Sequence, residues 1–468
     1  MENELYDSIL IGAGLTGLTI AHYLRKSGLR VLLLEKNSVP GGVIQSHAEN
    51  EFIYESGPNT GVISSVELVR LFHELRLSFE VPQQFANARW IWRKNRWEPM
   101  PSGLISAVTT PLFTLKDKFR ILGEPFRAKG TNPDETLSEL VIRRMGKSFL
   151  EYAIDPFISG IYAGDPSQLV TRYAMPKLYA LEQNYGSFIK GSIAKARIPK
   201  TAEEKQVTKQ VFSVNGGLSV LTDALVHSVG SEAIWCNCSN PTVSPGADDS
   251  YVVEVERKSE EATTGSMVKL RSRSVITTVG GPLLPAILPF LSPAETEPFT
   301  TLRYAKVVQV AAGYTDWKGI PIKAFGGLVP TVEQKDILGI LFPSALFENR
   351  APEKGALLSV FMGGIKRPEL YEYSDAQLKE IAVSHINEMM QTGQQPDLLR
   401  IFRYPFAIPQ YDAGSGKRLH TIKELQFRYP GLMLAGNIRD GIGMSDRVKQ
   451  GAVIAGEVIE YLNIKKFM

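Results

Sequence analysis

Residues 7–35 read DSILIGAGLTGLTIAHYLRKSGLRVLLLE, and their punctuation decides the fold. An apolar run, Ser8 to Ile11, leads into Gly12-Ala13-Gly14-Leu15-Thr16-Gly17; an amphipathic segment and a second apolar run, Val31 to Leu34, follow, and Glu35 and Lys36 close the unit. Strand, glycines, helix, strand and acid stand in the order of a βαβ dinucleotide site. Gly12 turns the chain tightly off the strand, Gly14 leaves room for a pyrophosphate, and Gly17 lets the helix pack closely on the sheet. N–H groups at the helix start, with the helix dipole, then hold the phosphates. Glu35, a little over ~20 residues past the first glycine, accepts hydrogen bonds from ribose hydroxyls, and an acid there argues against NADP. The stretch leaves FAD and NAD both open.

With 468 residues the chain exceeds the ~250–300 at which single cores stop growing, so two or more domains are expected. A content of 44% hydrophobic and 22% charged residues is ordinary for a globular protein. A net charge of +3 is too small to suggest a nucleic-acid partner and tolerates an anionic substrate or membrane surface. Cys236 and Cys238 lie one residue apart, poor spacing for a disulfide or a zinc site, and the six histidines are scattered, so no metal is expected. Reduced thiols point to a reducing compartment, here the cytoplasm. The first strand starts almost at Met1, so no leader peptide is expected. Ser274 to Ala294 carries no charge, yet Pro282, Pro285, Pro289 and Pro293 interrupt it, so no spanning helix is expected there.

Gly41-Gly42, soon after the acid, read as a loop pressed against a ligand. From Leu104 to Lys200 the texture is helical. Pro133 to Thr136 open a helix with proline and acids in its first turn, and Leu137, Leu140, Val141 and Met145 recur at helical spacing. Gly103 to Leu115 is apolar and is followed by Lys116, Lys118 and Arg120, the pattern of a buried helix pair or of a patch that docks on a membrane surface. Leu218, Leu221, Leu225 and Val229 predict a helix after Gly216-Gly217. Tyr251 to Val255 and Val268 to Val279 read as strands, the latter returning to the nucleotide-binding sheet. Strand-like runs at Val307 to Ala312, Ile337 to Phe342 and Ala356 to Phe361, with a helix at Ser374 to Met390, are the makings of an antiparallel substrate domain. At the tail a strand ends at Gly436-Asn437, a glycine break carries Gly441 and Gly443-Met444, and a helix runs from Arg447 to Leu462, giving a second anion-friendly end.

Asp155 to Leu169, DPFISGIYAGDPSQL, and Leu181 to Ser187, LEQNYGS, resemble the family of oxygen-dependent protoporphyrinogen and coproporphyrinogen III oxidases, within the flavin amine oxidase superfamily. Phe325 to Pro330, Leu338 to Ser344, Phe361 to Gly364 and Ile408 to Tyr411 match as well, so the resemblance spans nearly the whole chain. One departure stands out. The family usually carries Gly-His where this sequence has Gly414-Ser415.

The resemblance implies an α/β fold: a Rossmann-like FAD-binding domain of the glutathione-reductase/amine-oxidase type (1–85, 205–300, 425–468), an α+β substrate domain (86–103, 186–204, 301–424) and an inserted helical domain, 104–185, that faces a membrane. It implies FAD along Gly12 to Gly17, Glu35, Lys36, Gly41, Gly42, Gly57, Pro58, Asn59, Gly436, Asn437, Gly443 and Met444, the last group stabilising negative charge on the reduced ring. Arg89 is similar to an arginine that anchors a substrate propionate, for which a guanidinium offers two parallel charge-assisted hydrogen bonds. Leu328, Leu341 and Phe361 fall where the family places apolar walls against a tetrapyrrole, and Gly160 and Gly164 where backbone approaches it. The implied partners are a tetrapyrrole and dioxygen, and the family admits a homodimer and peripheral contact with the inner face of the cytoplasmic membrane. No protein side chain is expected to be catalytic: FAD carries the six-electron oxidation of protoporphyrinogen IX, or of coproporphyrinogen III. An amine oxidase, with an aromatic cage and a C-terminal cysteine to hold flavin, is a rival, but no cysteine lies beyond Cys238. A flavin-free binding module like the GDP-dissociation inhibitors has no need of the intact phosphate loop and ribose acid.

Overall fold

The apolar runs of the opening stretch become the parallel strands Leu5–Ile11 and Val31–Leu34, with Leu10 opposite Leu33 and Ile11 opposite Leu34. Ser266–Thr277 pairs parallel on the other side, Ile9 opposite Val275, and Leu432–Leu434 pairs with it in turn. Cys238–Pro245 and Tyr251–Arg257 extend this first, seven-stranded sheet at one edge, and Ile234–Trp235 closes the other. The computed structural model describes residues 5–83, 88–102, 104–258 and 265–467.

Strand side chains alternate faces, so each strand feeds two cores. Leu10 and Leu33 meet the helices Leu15–Lys26, Ser219–Val229 and Met444–Phe467, while Ile9, Ile11, Leu32 and Leu34 pack with Leu284, Ile287, Ile422 and Leu425. Leu218, Leu221, Leu225 and Val229 are buried as their spacing predicts, and each contributes about 1.5–3 kcal/mol by leaving water. Ile422 and Leu425 belong to the helix Ser415–Arg428, which packs on this sheet. A domain boundary at 424 therefore falls inside an element. Cys236 and Cys238 are free thiols near the sheet edge, and burial pushes the Cys238 thiol up to about 11.

The second sheet also has seven strands: Leu398–Pro409, Tyr304–Tyr314, Ala356–Gly363, Gly339–Leu341, Gly326–Leu328, Arg89–Arg93 and Arg96–Pro99, in that order. One face is covered by the helix Asp375–Met390, whose Leu378, Ala382, Ile386 and Met389 meet Val308, Val310, Val360 and Met362. Leu398–Pro409 is not legible as a strand because Pro405 interrupts it. An edge position and a register shift beside Ala305 accommodate the missing donor.

The insertion is a set of short helices. Its Leu137–Arg144 helix starts after, not within, the Pro133 to Thr136 segment: Thr136 and Glu139 form a reciprocal capping box that sets the first turn at Leu137. The C-terminal helix, Met444–Phe467, begins ahead of the expected Arg447. Under the insertion lies a buried charge network, in which Arg144 donates to Glu182 (2.8 Å from Nε) and Glu124 (2.8 Å) and Arg143 bridges Glu182 and Glu135. Of the apolar stretch expected at Gly103 to Leu115, Leu112 and Phe113 are buried and Leu115 is exposed, while Gly103 and the side chains of Leu104, Ile105 and Val108 lie outside the described residues; Phe119, Leu122 and Phe126 beyond it are exposed as well.

Candidate active site

At the first strand's end Gly12 has φ +102°, and its N–H donates to the carbonyl of Leu34 (2.8 Å). A Cβ on Gly17 would stand 2.0 Å from the Gly12 carbonyl oxygen, so helix and turn meet only because Gly17 has none. Gly14 differs: nothing lies within 4 Å of its Cβ position, leaving a free approach to the backbone. The helix beginning at Leu15 has no side-chain cap and no acid in its first turn, so its leading N–H groups and dipole are offered to an anion. Leu15 and Thr16 bury their side chains and contribute backbone. Glu35 is 5% exposed; its two oxygens accept from Ala13 N–H and Asn37 N–H (2.9 Å each), which holds the carboxylate in place with lone pairs to spare for two hydroxyls. Lys36 is exposed beside it. Thr278, which has no motif to mark it, donates to the Gly12 carbonyl (3.0 Å) and braces the turn.

From this loop a line of close backbone contacts leads away. Gly41 donates to the Ala13 carbonyl (2.8 Å), a Cβ on Gly42 would be 3.2 Å from Gly14 Cα, and one on Gly57 would be 2.0 Å from the Val43 carbonyl oxygen. The turn Gly57-Pro58-Asn59 thus stacks on the paired-glycine loop. Ser64 N–H donates to Ser445 Oγ (3.3 Å), tying the segment after the turn to the start of the C-terminal helix. At that end several groups already have partners within the protein. The Gly436 N–H is taken by Gln450 Oε1 (2.8 Å), Asn437 Oδ1 accepts from the Tyr304 hydroxyl (3.2 Å), and the Met444 side chain is buried in the first core. Gly443 is exposed. A buried guanidinium, Arg447, organises the loop by donating to the carbonyls of Gly436, Arg439 and Gly441.

The second sheet's open face brings the substrate candidates together. Ile91, Leu328, Gly339, Phe361, Gln309 and Phe402 form one row across the strands, and Arg89, Gly326, Leu341, Ser359, Ala311 and Arg400 form the next. Paired residues and those two apart share a face, so Arg89, Leu328, Leu341 and Phe361 all point the same way. The three apolar side chains are only half-buried although they lie in the middle of the molecule. Arg89 is exposed, its guanidinium 5.4 Å from the centre of the Phe325 ring, and among the described residues no carboxylate pairs with it. Gly160 is exposed at the end of the helix Asp155–Tyr162, and a Cβ there would be 2.6 Å from Leu328 Cδ2, so the glycine is what lets helix and sheet close up. Gly164 is not at an open surface: it is buried against Gln410, whose Oε1 a Cβ would approach to 2.5 Å. Ser415 is likewise buried, accepting from Arg418 (3.1 Å), and so takes no part in this face.

Two polar residues on the face carry no motif. Gln309, 1% exposed, accepts from Gly57 N–H (2.9 Å) and donates to the Glu55 carbonyl (2.8 Å), and Ser359, fully buried, donates to Asn59 Oδ1 (2.8 Å). Asn59 Nδ2 donates in turn to the Gly57 carbonyl (3.2 Å).

The model of the flavin containing amine oxidoreductases matches residues 15–458. The chain belongs to this family. This amine oxidoreductase relative is similar over nearly its full length to a mitochondrial protoporphyrinogen oxidase of Nicotiana tabacum, 29% identical and covering 97% of this chain and 94% of that one. It is similar also to coproporphyrinogen III oxidase of Bacillus subtilis, 24% identical and covering 97% and 98%. Among solved structures, cyclohexylamine oxidase of Brevibacterium oxydans shares the fold at a TM-score of 0.69 with 14% identity, over 98% of this chain and all of that one (100%). The protein is a flavin-dependent oxidoreductase, and its cofactor is FAD. The open side of Gly14, the uncapped helix and the spare lone pairs of Glu35 fit the adenosine diphosphate half of that cofactor. Among the described residues no group of three His, Cys, Asp or Glu gathers as a metal site.

Proposed function

We propose that the protein oxidises protoporphyrinogen IX to protoporphyrin IX in haem synthesis, with dioxygen as final acceptor. The observation that carries this reading is the face that joins Arg89, a guanidinium with no carboxylate partner among the described residues, to the apolar side chains of Leu328, Leu341 and Phe361, directly beside the Gly57–Asn59 turn. A porphyrinogen is a broad apolar ring with carboxylates at its edge, and this face offers the complement of both parts. Arg89 binds a propionate through paired hydrogen bonds, and the apolar row supports the macrocycle and keeps water off it. Gly12 to Gly17 and Glu35 hold the phosphates and ribose of FAD, while the backbone at Gly57 to Asn59 and at the start of the Met444–Phe467 helix borders the ring end. Bound FAD supplies two-electron acceptance and its return to dioxygen. The protein need only orient: the pyrrole N–H on the ring's open side, away from the apolar wall, loses its proton to solvent, and turning of the ring over the same wall presents each position in succession.

Coproporphyrinogen III is the second reading, because Arg93 lies on the same strand face as Arg89 with Ile91 between them, its guanidinium 5.1 Å from the Tyr152 ring centre, where a further propionate would need a cation. Side-by-side turnover of the two porphyrinogens decides between them. Protein that holds FAD yet yields neither porphyrin fluorescence nor peroxide with either substrate would refute both.

The reading includes a peripheral site on the inner face of the cytoplasmic membrane. Supporting it, the Leu115–Leu122 helix presents Leu115, Phe119 and Leu122 to solvent, each about seven-tenths exposed, and Phe126 more so. Ile189 and Ile193 of the neighbouring helix are exposed too, with Lys190 5.6 Å from the Phe126 ring centre. Among the described residues no helix is long and apolar enough to cross a membrane.

A further inference from the structure

Gln309 and Ser359 sit in the apolar, buried stretches Val307 to Ala312 and Ala356 to Val360 of the strands Tyr304–Tyr314 and Ala356–Gly363. A leucine at 309 would pack as well between Phe361 and Phe402, and an amide buried there is costly unless both its ends are satisfied. Both are, and both partners belong to one turn. Oε1 takes the N–H of Gly57 and Nε2 gives to the carbonyl of Glu55, the two groups that a neighbouring strand would engage. The same edge of the Phe52–Ser56 strand offers Ile53 N–H to the Arg350 carbonyl (3.3 Å), so the side chain stands in for a missing strand.

In the proposed function the turn so held borders the cofactor's ring end. It stacks on Val43 below the phosphate loop, it is tied through Ser64 to the start of the C-terminal helix, and it meets the second sheet through Gln309 and Ser359. Gln309 shares its row with Leu328 and Phe361, and Ser359 shares its row with Leu341 and Arg89. We propose that Gln309, assisted by Ser359, is the positioning residue that sets the spacing between the FAD ring and the substrate wall, by locking the turn on one to the strand that carries the other. The inference rests on the proposed function for the place of the FAD ring beside this turn and for its kinetic arm. Neither side chain touches the reacting atoms; each acts through the turn.

The test uses the FAD-loaded full chain with Gln309→Leu, Gln309→Glu and Ser359→Ala, read by visible circular dichroism of the bound flavin, by its reduction midpoint potential and by porphyrinogen kinetics. Gln309→Leu and Ser359→Ala are expected to keep FAD, to change the flavin dichroism, and to lower kcat by about 10- to 100-fold with KM within about threefold, since a shift near 1 Å at a reacting centre costs on that order. Gln309→Glu gives the sharper signature. Its carboxyl, when protonated, accepts from Gly57 and donates to Glu55 as the amide does, so the wild-type dichroism returns as pH falls and is lost as pH rises. A Gln309→Glu spectrum that does not move with pH, or a folded Gln309→Leu with wild-type dichroism and kcat, overturns the proposal. The dichroism and potential need no substrate, so they decide it even if porphyrinogen is not turned over.

Discussion

In the proposed function, substrate recognition turns on Arg89. Its charge has no carboxylate partner among the described residues, and a propionate would supply one. Removing it in Arg89→Ala should raise KM for a porphyrinogen about 10- to 100-fold, the equivalent of about 1.5–3 kcal/mol for a hydrogen bond to a charged group, with a smaller change in kcat. Arg89→Lys should recover only part, since an ammonium lacks the paired geometry. Steady-state kinetics of the two variants checks this, and an unchanged KM in Arg89→Ala would remove Arg89 from the site. At this scale the sequence was informative wherever function depends on local backbone. Gly12, Gly14, Gly17 and Glu35 are legible because the spacing of one βαβ unit fixes their roles. Gln309, Ser359 and Thr278 are not, because each acts on a turn some 250 or more residues away in sequence and looks, in its own strand, like an ordinary polar interruption.

At the scale of elements, the insertion combines an apolar core around Leu137, Leu140, Val141 and Ile158 with a buried charge network. Arg144 is fully buried, and Glu182 and Glu124 are 1% and 2% exposed. Truncating Arg144 to Leu leaves Glu124 without its cation and Glu182 with Arg143 alone, and should cost about 3–5 kcal/mol, seen as early proteolysis between the Leu115–Leu122 and Phe188–Ala196 helices. The same network makes the insertion acid-labile. Burial raises the Glu182 and Glu124 carboxyls, but hydrogen bonds from Arg143 and Arg144 to the one, and from Ser187 and the Phe188 and Ile189 N–H groups to the other, outweigh it and hold both below the usual 4.5. A depressed carboxyl contributes stability that is fully present above the unfolded value and is lost as pH falls through the folded one. Thermal melts should therefore fall steeply below pH 4.5, and less steeply in Glu182→Gln, which is already destabilised at neutral pH. The helical texture of this region is legible from its spacing. Its boundaries are not, because the capping box at Thr136 and Glu139 outweighs the proline and acids before it.

For the whole molecule, three segments far apart in sequence build the first sheet, two build the second, and the insertion buries one apolar cluster while leaving Leu115, Phe119, Leu122 and Phe126 outward. That outward face should carry the protein to anionic lipid vesicles in sedimentation, and Phe119→Ser with Phe126→Ser should release it while leaving turnover of a soluble porphyrinogen unchanged; equal sedimentation of wild type and variant would dissociate the face from lipid binding. The sequence left a buried pair and an exposed patch both open for Gly103 to Leu115, because apolar residues read alike in either setting; Leu112 and Phe113 are buried, Leu115 is exposed, and exposed apolar residues continue past it to Phe126. The central claim, that the cofactor domain and the wall of the second sheet together oxidise a porphyrinogen in successive two-electron steps, is tested most directly by the ratio of peroxide formed to porphyrin formed by the purified, FAD-loaded protein under air. Three peroxides per fluorescent porphyrin is the predicted result, and peroxide without porphyrin, or a ratio of one, would contradict it.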